Sequence, residues 1–212
     1  MSAIESAQTE SARNSNTVAR RATASDAEPM AQMLARAFHD DPLVMHFFSD
    51  ESARAAKLPK FFRLLLKLGM PFGACDVTSG CEAATVWLPP GKWHISFWKY
   101  IANGPAFLGL FGADALRVMS VVDQMEKVHP RERHWYLQSI GTEPDKQGKG
   151  FGGVVMRHQL AVADEQRLPA YLESSKEKNI PIYASFGFEV TGEIRIKNGP
   201  VMYSMWRKSP LV

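Results

Sequence analysis

The chain has 212 residues, 45% of them hydrophobic, enough to bury a substantial core as one domain. Its 25 basic and 22 acidic side chains leave a net charge of +3, too small and too interspersed to point to nucleic-acid binding. The longest apolar runs, Phe61 to Leu68 and Pro105 to Phe111, are shorter or more interrupted than a membrane span requires, so no transmembrane helix is expected.

Met1 to Thr17 is rich in Ser, Ala, Glu, Asn and Gln and lacks the apolar core of a signal peptide. It reads as a flexible N-terminal tail (1–17) before a single domain (18–209), in a cytoplasmic protein. Val18 to Ala22 suits a strand. Ser25 and Glu28 form a capping box opening a helix whose apolar positions Met30, Met33, Leu34 and Phe38 recur at helical spacing. His39, Asp40 and Asp41 follow it as a polar exit. A second helical stretch runs from Glu51 to Leu68, then a hairpin-like pair, Ala74 to Val77 and Ala83 to Leu88, ends at Pro89-Pro90-Gly91. Cys75 and Cys81 flank its turn, but two cysteines in a reducing compartment argue against a disulfide, and neither has metal-site spacing. From Lys92 to Asn103 the chain is aromatic and irregular, and Trp93, His94, Trp98 and Tyr100 suit either an aromatic acceptor pocket or ordinary packing. Asp114 to Val128 returns to helix with Leu116, Met119, Val122 and Met125 on one face, and Pro130 stops it.

Gln147-Gly148-Lys149-Gly150-Phe151-Gly152-Gly153 then joins the strand-like run Trp135 to Thr142 to the helix-like run Val154 to Gln166. Glycines let the backbone curl and admit an anion to its amides, while the following helix offers unpaired N–H groups and its positive dipole end. The turn therefore reads as a phosphate site, with Lys149 adding charge. A nucleotide-hydrolase loop needs Ser or Thr after Gly-Lys, and Gly150 stands there. The dinucleotide spacing G-x-G-x-x-G is met by Gly148, Gly150 and Gly153, with Glu173 downstream for a ribose, but too few residues follow for a doubly wound sheet. A third spacing, Q-x-x-G-x-G, is supplied by Gln147, Gly150 and Gly152.

That third pattern comes with Leu172-Glu173 at a strand end, Asn179 and Tyr183 four apart, and a closing Phe186-Gly187-Phe188-Glu189-Val190. Together they resemble the GNAT (general-control-related N-acetyltransferase) superfamily, and within it the puromycin N-acetyltransferase group. The likeness is densest from His134 to the C-terminus, looser at Ala19 to Thr23 and Ala37 to Pro42, and poor between Pro59 and Arg133.

The resemblance implies an α/β fold with a mixed, mostly antiparallel sheet, splayed between its fourth and fifth strands and carrying helices on both faces. It implies acetyl-CoA as co-substrate and no metal, with Ile140, Gly141, Thr142, Gln147, Gly148, Lys149, Gly150, Phe151, Gly152, Gly153, Asn179 and Tyr183 as its site. His39, Asp40 and Asp41 would shape the acceptor pocket. Transfer to an amine needs a neutral nucleophile, oxyanion stabilisation and a proton for the thiolate. A backbone N–H near Ile140, Tyr183 as acid, and Glu173 or an acidic group near Asp41 as base would supply them. On the residues alone, Tyr183 also fits an ordinary buried tyrosine, Glu173 an ion-pair partner and Asn179 a helix cap. The partner expected is a small-molecule amine, met by a monomer or homodimer. A non-catalytic acyl-CoA sensor and a dinucleotide-dependent oxidoreductase are the alternatives.

Overall fold

The computed structural model describes residues 17–94 and 104–210. All but the last residue of the expected tail, together with Trp98 and Tyr100, lie outside them. Seven strands form one sheet in the order β1-β2-β3-β4-β5-β7-β6. These are β1 (Ala19–Arg21), β2 (Cys75–Thr78), β3 (Ala83–Leu88), β4 (Trp135–Thr142), β5 (Ala170–Ser174), β6 (Glu189–Arg195) and β7 (Val201–Arg207). Neighbours are antiparallel except β4 and β5, which run parallel. The mixed sheet is the one expected, and a single parallel pair is not the doubly wound sheet that dinucleotide binding requires.

Helices α1 (Ala27–Ala37), α2 (Pro42–Phe47), α3 (Glu51–Gly69), α4 (Gly104–Phe111) and α5 (Ala115–Val128) share one core with Val77, Val86, Ile194 and Met202 of the sheet. Helix α6 (Phe151–Glu165) covers the other face through Met156, Leu160 and Ala163, against Trp87, Trp135, Leu137 and Leu172. The short α7 (Ile180–Ala184) leads into β6.

Two local expectations are corrected. The capping box falls two residues earlier: the Asp26 carboxylate accepts from the Thr23 amide (2.7 Å) and hydroxyl (2.8 Å) over a 3-10 turn, Ala24–Asp26. Glu28 is thereby free to accept from Arg63 of α3 at 2.8 Å. On α5 the buried stripe is Ala115, Val118 and Val121, while Leu116 is 79% and Met119 41% exposed. Val122 and Met125 of the expected stripe do line an interior cavity, so the inward face lies between the two rows. By length and composition the stretch Gly104–Val128 would pass for a membrane span. Leu110, Phe111, Ala115, Val118 and Val121 of this stretch join the protein core, and a 3-10 turn at Gly112–Asp114 interrupts it. Cys75 and Cys81 are both free thiols, Cys75 buried.

The geometry of β4 sets up everything that follows. Its pairing with β3 slips between Val86 and Trp87, so Gln138 is an extra residue in the strand. Alternation shifts there: Leu137 and Ile140, three apart, both pack towards α6, and Gly141 turns towards α1.

Candidate active site

Strands β4 and β5 pair only at Trp135↔Ala170, Tyr136↔Tyr171 and Leu137↔Leu172. Beyond these positions they part, and a cleft of about 880 Å³ opens against residues 140–142. Its walls include Ile140, Gly141, Thr142, Gln147, Gly148, Gly150, Phe151, Gly152, Gly153, Asn179 and Tyr183. The structure thus brings together all the expected cofactor residues except Lys149, which stands in the loop outside the cleft wall.

The glycines serve different ends. Gly148 (φ 75°) and Gly150 (φ 86°) hold left-handed backbone, and a Cβ on either would meet nothing within 4 Å. They are required by conformation and leave open space beside the first amides of α6, which have no partner inside the helix. A Cβ on Gly141 would lie 2.7 Å from Leu34 Cδ2, so that glycine is there to let α1 approach. Gln147 ties the loop to the strand end, its Nε2 donating to the Thr142 carbonyl at 3.3 Å. Asn179 makes no side-chain cap bond to α7, leaving its amide for the cleft. Arg36, Lys146, Arg157, Lys176 and Lys178 make the rim basic, with Arg36 bonded to Glu143 and Lys176 to Asp40, each within 2.7 Å.

Tyr183 is half-buried in the cleft wall, its ring 6.3 Å from that of Phe188. Burial and, secondarily, the Asp41 carboxylate push its hydroxyl above the usual tyrosine range, so it stays protonated.

A second cavity, of about 240 Å³, meets the cleft at Phe38 and Asp41, which line both. Phe47, Phe61, Phe111, Val118, Val122, Met125 and Trp93 give it apolar walls. Its polar groups include Asp41, Glu126, His129, Tyr136, Gln138, Ser139, Glu173 and Ser175. Glu173 faces this cavity, its side chain only 2% exposed. Glu173 Oε1 and Gln138 Oε1 are buried acceptors without a hydrogen-bond partner among the described residues.

The expected trio after α1 divides. Asp41 is buried at the junction, where it caps α2 by accepting from the Leu43 and Val44 amides (3.0 and 3.2 Å) and also accepts from the Ser175 hydroxyl. His39 and Asp40 line only the cleft. Trp93 does reach the acceptor side, stacked 3.8 Å from the His129 ring, while His94 pairs with Glu126 at 3.3 Å. His129 itself, at the end of α5, is a site residue that the sequence reading missed. Nothing in its spacing marks it, because a loop and the β4–β5 pairing bring it to Glu173.

Sheet order, splay and glycine loop together define the GNAT acetyltransferase fold. Residues 85–188 match the model of the acetyltransferase (GNAT) family. An uncharacterized N-acetyltransferase of Schizosaccharomyces pombe is 27% identical over 183 residues, spanning 80% of this chain and 73% of that protein. A Corynebacterium glutamicum structure described as a histone acetyltransferase and related acetyltransferase superposes with a TM-score of 0.71 at 24% identity, over 92% of this chain and 98% of its own. A Drosophila melanogaster polyamine N-acetyltransferase follows at 0.60 and 17%, over 91% and 100%. The family model matches residues 85–188 and the structural neighbours share the fold; neither singles out the puromycin-acetylating group.

Proposed function

We propose that the chain transfers the acetyl group of acetyl-CoA to the primary amine of a small molecule with an apolar body, by direct attack in a ternary complex. The observation that carries this reading is the junction at Phe38 and Asp41, where a glycine-looped cleft adjoins an apolar cavity lined by a buried carboxylate.

The cleft fits the co-substrate: open space at Gly148 and Gly150, free first-turn amides and a basic rim suit a pyrophosphate, and the unpaired edge of 140–142 suits pantetheine amides. Acetyl-CoA supplies an activated acyl carbon and a thiolate leaving group. Tyr183, held protonated, donates to the departing sulfur. A backbone N–H near Ile140 polarises the carbonyl. Glu173 relieves the acceptor ammonium of its proton in the apolar cavity. At about 240 Å³ that cavity is smaller than the roughly 300–1,000 Å³ of drug-sized sites, so it suits an aryl or alkyl amine of one or two rings. Neighbours named for agmatine and polyamine acetylation support an amine acceptor, and the aromatic walls favour an apolar amine over a polycation. Tyr183 and Glu173 together favour an enzyme over a sensor, which needs neither.

The test is thiol release from acetyl-CoA across a primary-amine panel, with the product weighed by mass spectrometry. An N-acetylated apolar amine supports the reading. Release with no amine, or tight binding of a nicotinamide dinucleotide in preference to acetyl-CoA by calorimetry, contradicts it.

A further inference from the structure

Beside Glu173 runs a row of buried polar atoms whose chemistry fixes where protons sit. His134 Nδ1 lies 2.6 Å from the Glu132 carbonyl oxygen, which only accepts, so Nδ1 carries a hydrogen. Burial pushes His134 below the ordinary histidine range, which keeps the ring neutral and its Nε2 a bare acceptor. His129 Nε2, 3.0 Å away, therefore donates to it. With its hydrogen on Nε2 and no second one, the His129 ring turns a bare Nδ1 towards Glu173 Oε1, 3.4 Å away. Two lone pairs facing each other make no bond, and Glu173 Oε1 has no hydrogen-bond partner among the described residues. The side chains are 4% and 2% exposed, so the gap is an unsatisfied buried polar contact.

We propose that this gap receives the proton of the acceptor ammonium, shared between Glu173 and His129, with His134 a positioning residue that sets the His129 tautomer. The inference rests on the acetyl-transfer reading above. Protonating Glu173 turns the facing lone pairs into an O–H···N hydrogen bond, so the pair accepts a proton more readily than Glu173 alone. The ammonium loses one proton to the pair, and its nitrogen forms the C–N bond as the C–S bond of the thioester breaks. The sulfur takes the Tyr183 proton, the second nitrogen proton restores Tyr183, and the shared proton passes to solvent after product leaves. Around the pair, Tyr136 on β4, Tyr171 on β5, His94 with Glu126 beside Trp93, and Asp41 across the cavity are the other titratable groups. Tyr171 donates to Ser204 Oγ at 3.1 Å, and burial and, secondarily, the neighbouring Glu173 carboxylate push its hydroxyl up, so it stays protonated.

The first measurement needs neither acetyl-CoA nor acceptor. In ¹⁵N-histidine spectra of the wild-type chain above neutral pH, His134 should be protonated on Nδ1 alone and His129 on Nε2 alone. A His129 hydrogen on Nδ1 with bare Nε2 overturns the proposal. The second uses whichever of 2-phenylethylamine, benzylamine and hexylamine gives the highest kcat/KM. Glu173→Gln should lower kcat/KM about a hundredfold, and His129→Gln about tenfold with the acid limb of the pH profile moved to lower pH. The double variant should lose no more than Glu173→Gln, because the two groups act as one unit. Acetyl-CoA affinity should hold throughout. Multiplying losses, or an unmoved pH limb in folded His129→Gln, overturn it. If that variant does not fold, the nitrogen shifts decide alone. A wild type that acetylates no amine removes the acetyl-transfer reading and this proposal together; an active wild type indifferent to His129 removes this one only.

Discussion

The two adjoining cavities hold their ligands by opposite means. The cleft is wide, basic at its rim and built on backbone amides and left-handed glycines, so much of its grip comes from the main chain. The acceptor cavity is roughly a quarter as large and built from aromatic and aliphatic side chains around buried carboxylates, so every side chain sets its shape. A fixed co-substrate suits the first design and a particular acceptor the second. Variants in one region should therefore leave binding in the other untouched.

The largest effect should come from Tyr183 in the cleft wall. Tyr183→Phe removes only the hydroxyl and keeps the contact with Phe188. kcat should fall about a hundredfold to ten-thousandfold, with acetyl-CoA affinity unchanged in calorimetry. Full pre-steady-state turnover would return Tyr183 to the status of a packing residue.

Next comes the loop. Gly150→Val puts a branched side chain into the space kept for phosphate, at φ 86°. Acetyl-CoA should bind about a hundredfold more weakly, equal to about 2.7 kcal/mol. The backbone strain should also cost about 1–3 kcal/mol of stability, visible in the melting temperature. Equal affinity in a folded variant would remove the loop from the site.

On the acceptor side the shift should be smaller and reversed in kind. Val122→Phe narrows the cavity. The amine KM should rise about tenfold while acetyl-CoA affinity stays put, with an overpacking cost of about 1–3 kcal/mol. A weakened acetyl-CoA affinity would show that the two regions are not separable.

The smallest effect is an expected constancy. Tyr183 is raised above its ordinary range, so the protonated acid persists as pH climbs, and its loss must lie above about pH 10. kcat should show no alkaline decline below that pH. A decline beginning near pH 8 or 9 would mean that the acid is another group or that Tyr183 is not shielded.

The contrast between the regions also explains what the sequence made legible. Residues 140–153 form nearly the whole phosphate side of the cleft in one contiguous stretch, and its two left-handed positions, 148 and 150, are both glycine. Glu173 and Tyr183 were found from the motif around them. The acceptor cavity draws on residues from Phe38 to Met202, so no local pattern marks it. His129 and Glu173 lie 44 positions apart and meet only because parallel pairing sets Tyr171 beside Tyr136. On α5, Leu116 and Met119 looked buried because apolarity alone does not say which stripe of a helix faces inward. The capping box was misplaced because Glu28 satisfies the same spacing rule as Asp26 but turns to Arg63, a partner 35 residues away.

Direct transfer between adjoining cavities is tested most directly by intact-mass spectrometry of the enzyme with acetyl-CoA alone, alongside initial rates with both substrates varied. The two-cavity arrangement predicts a chain mass unchanged by acetyl-CoA and double-reciprocal lines that intersect. A chain heavier by one acetyl group, with parallel lines, would contradict it.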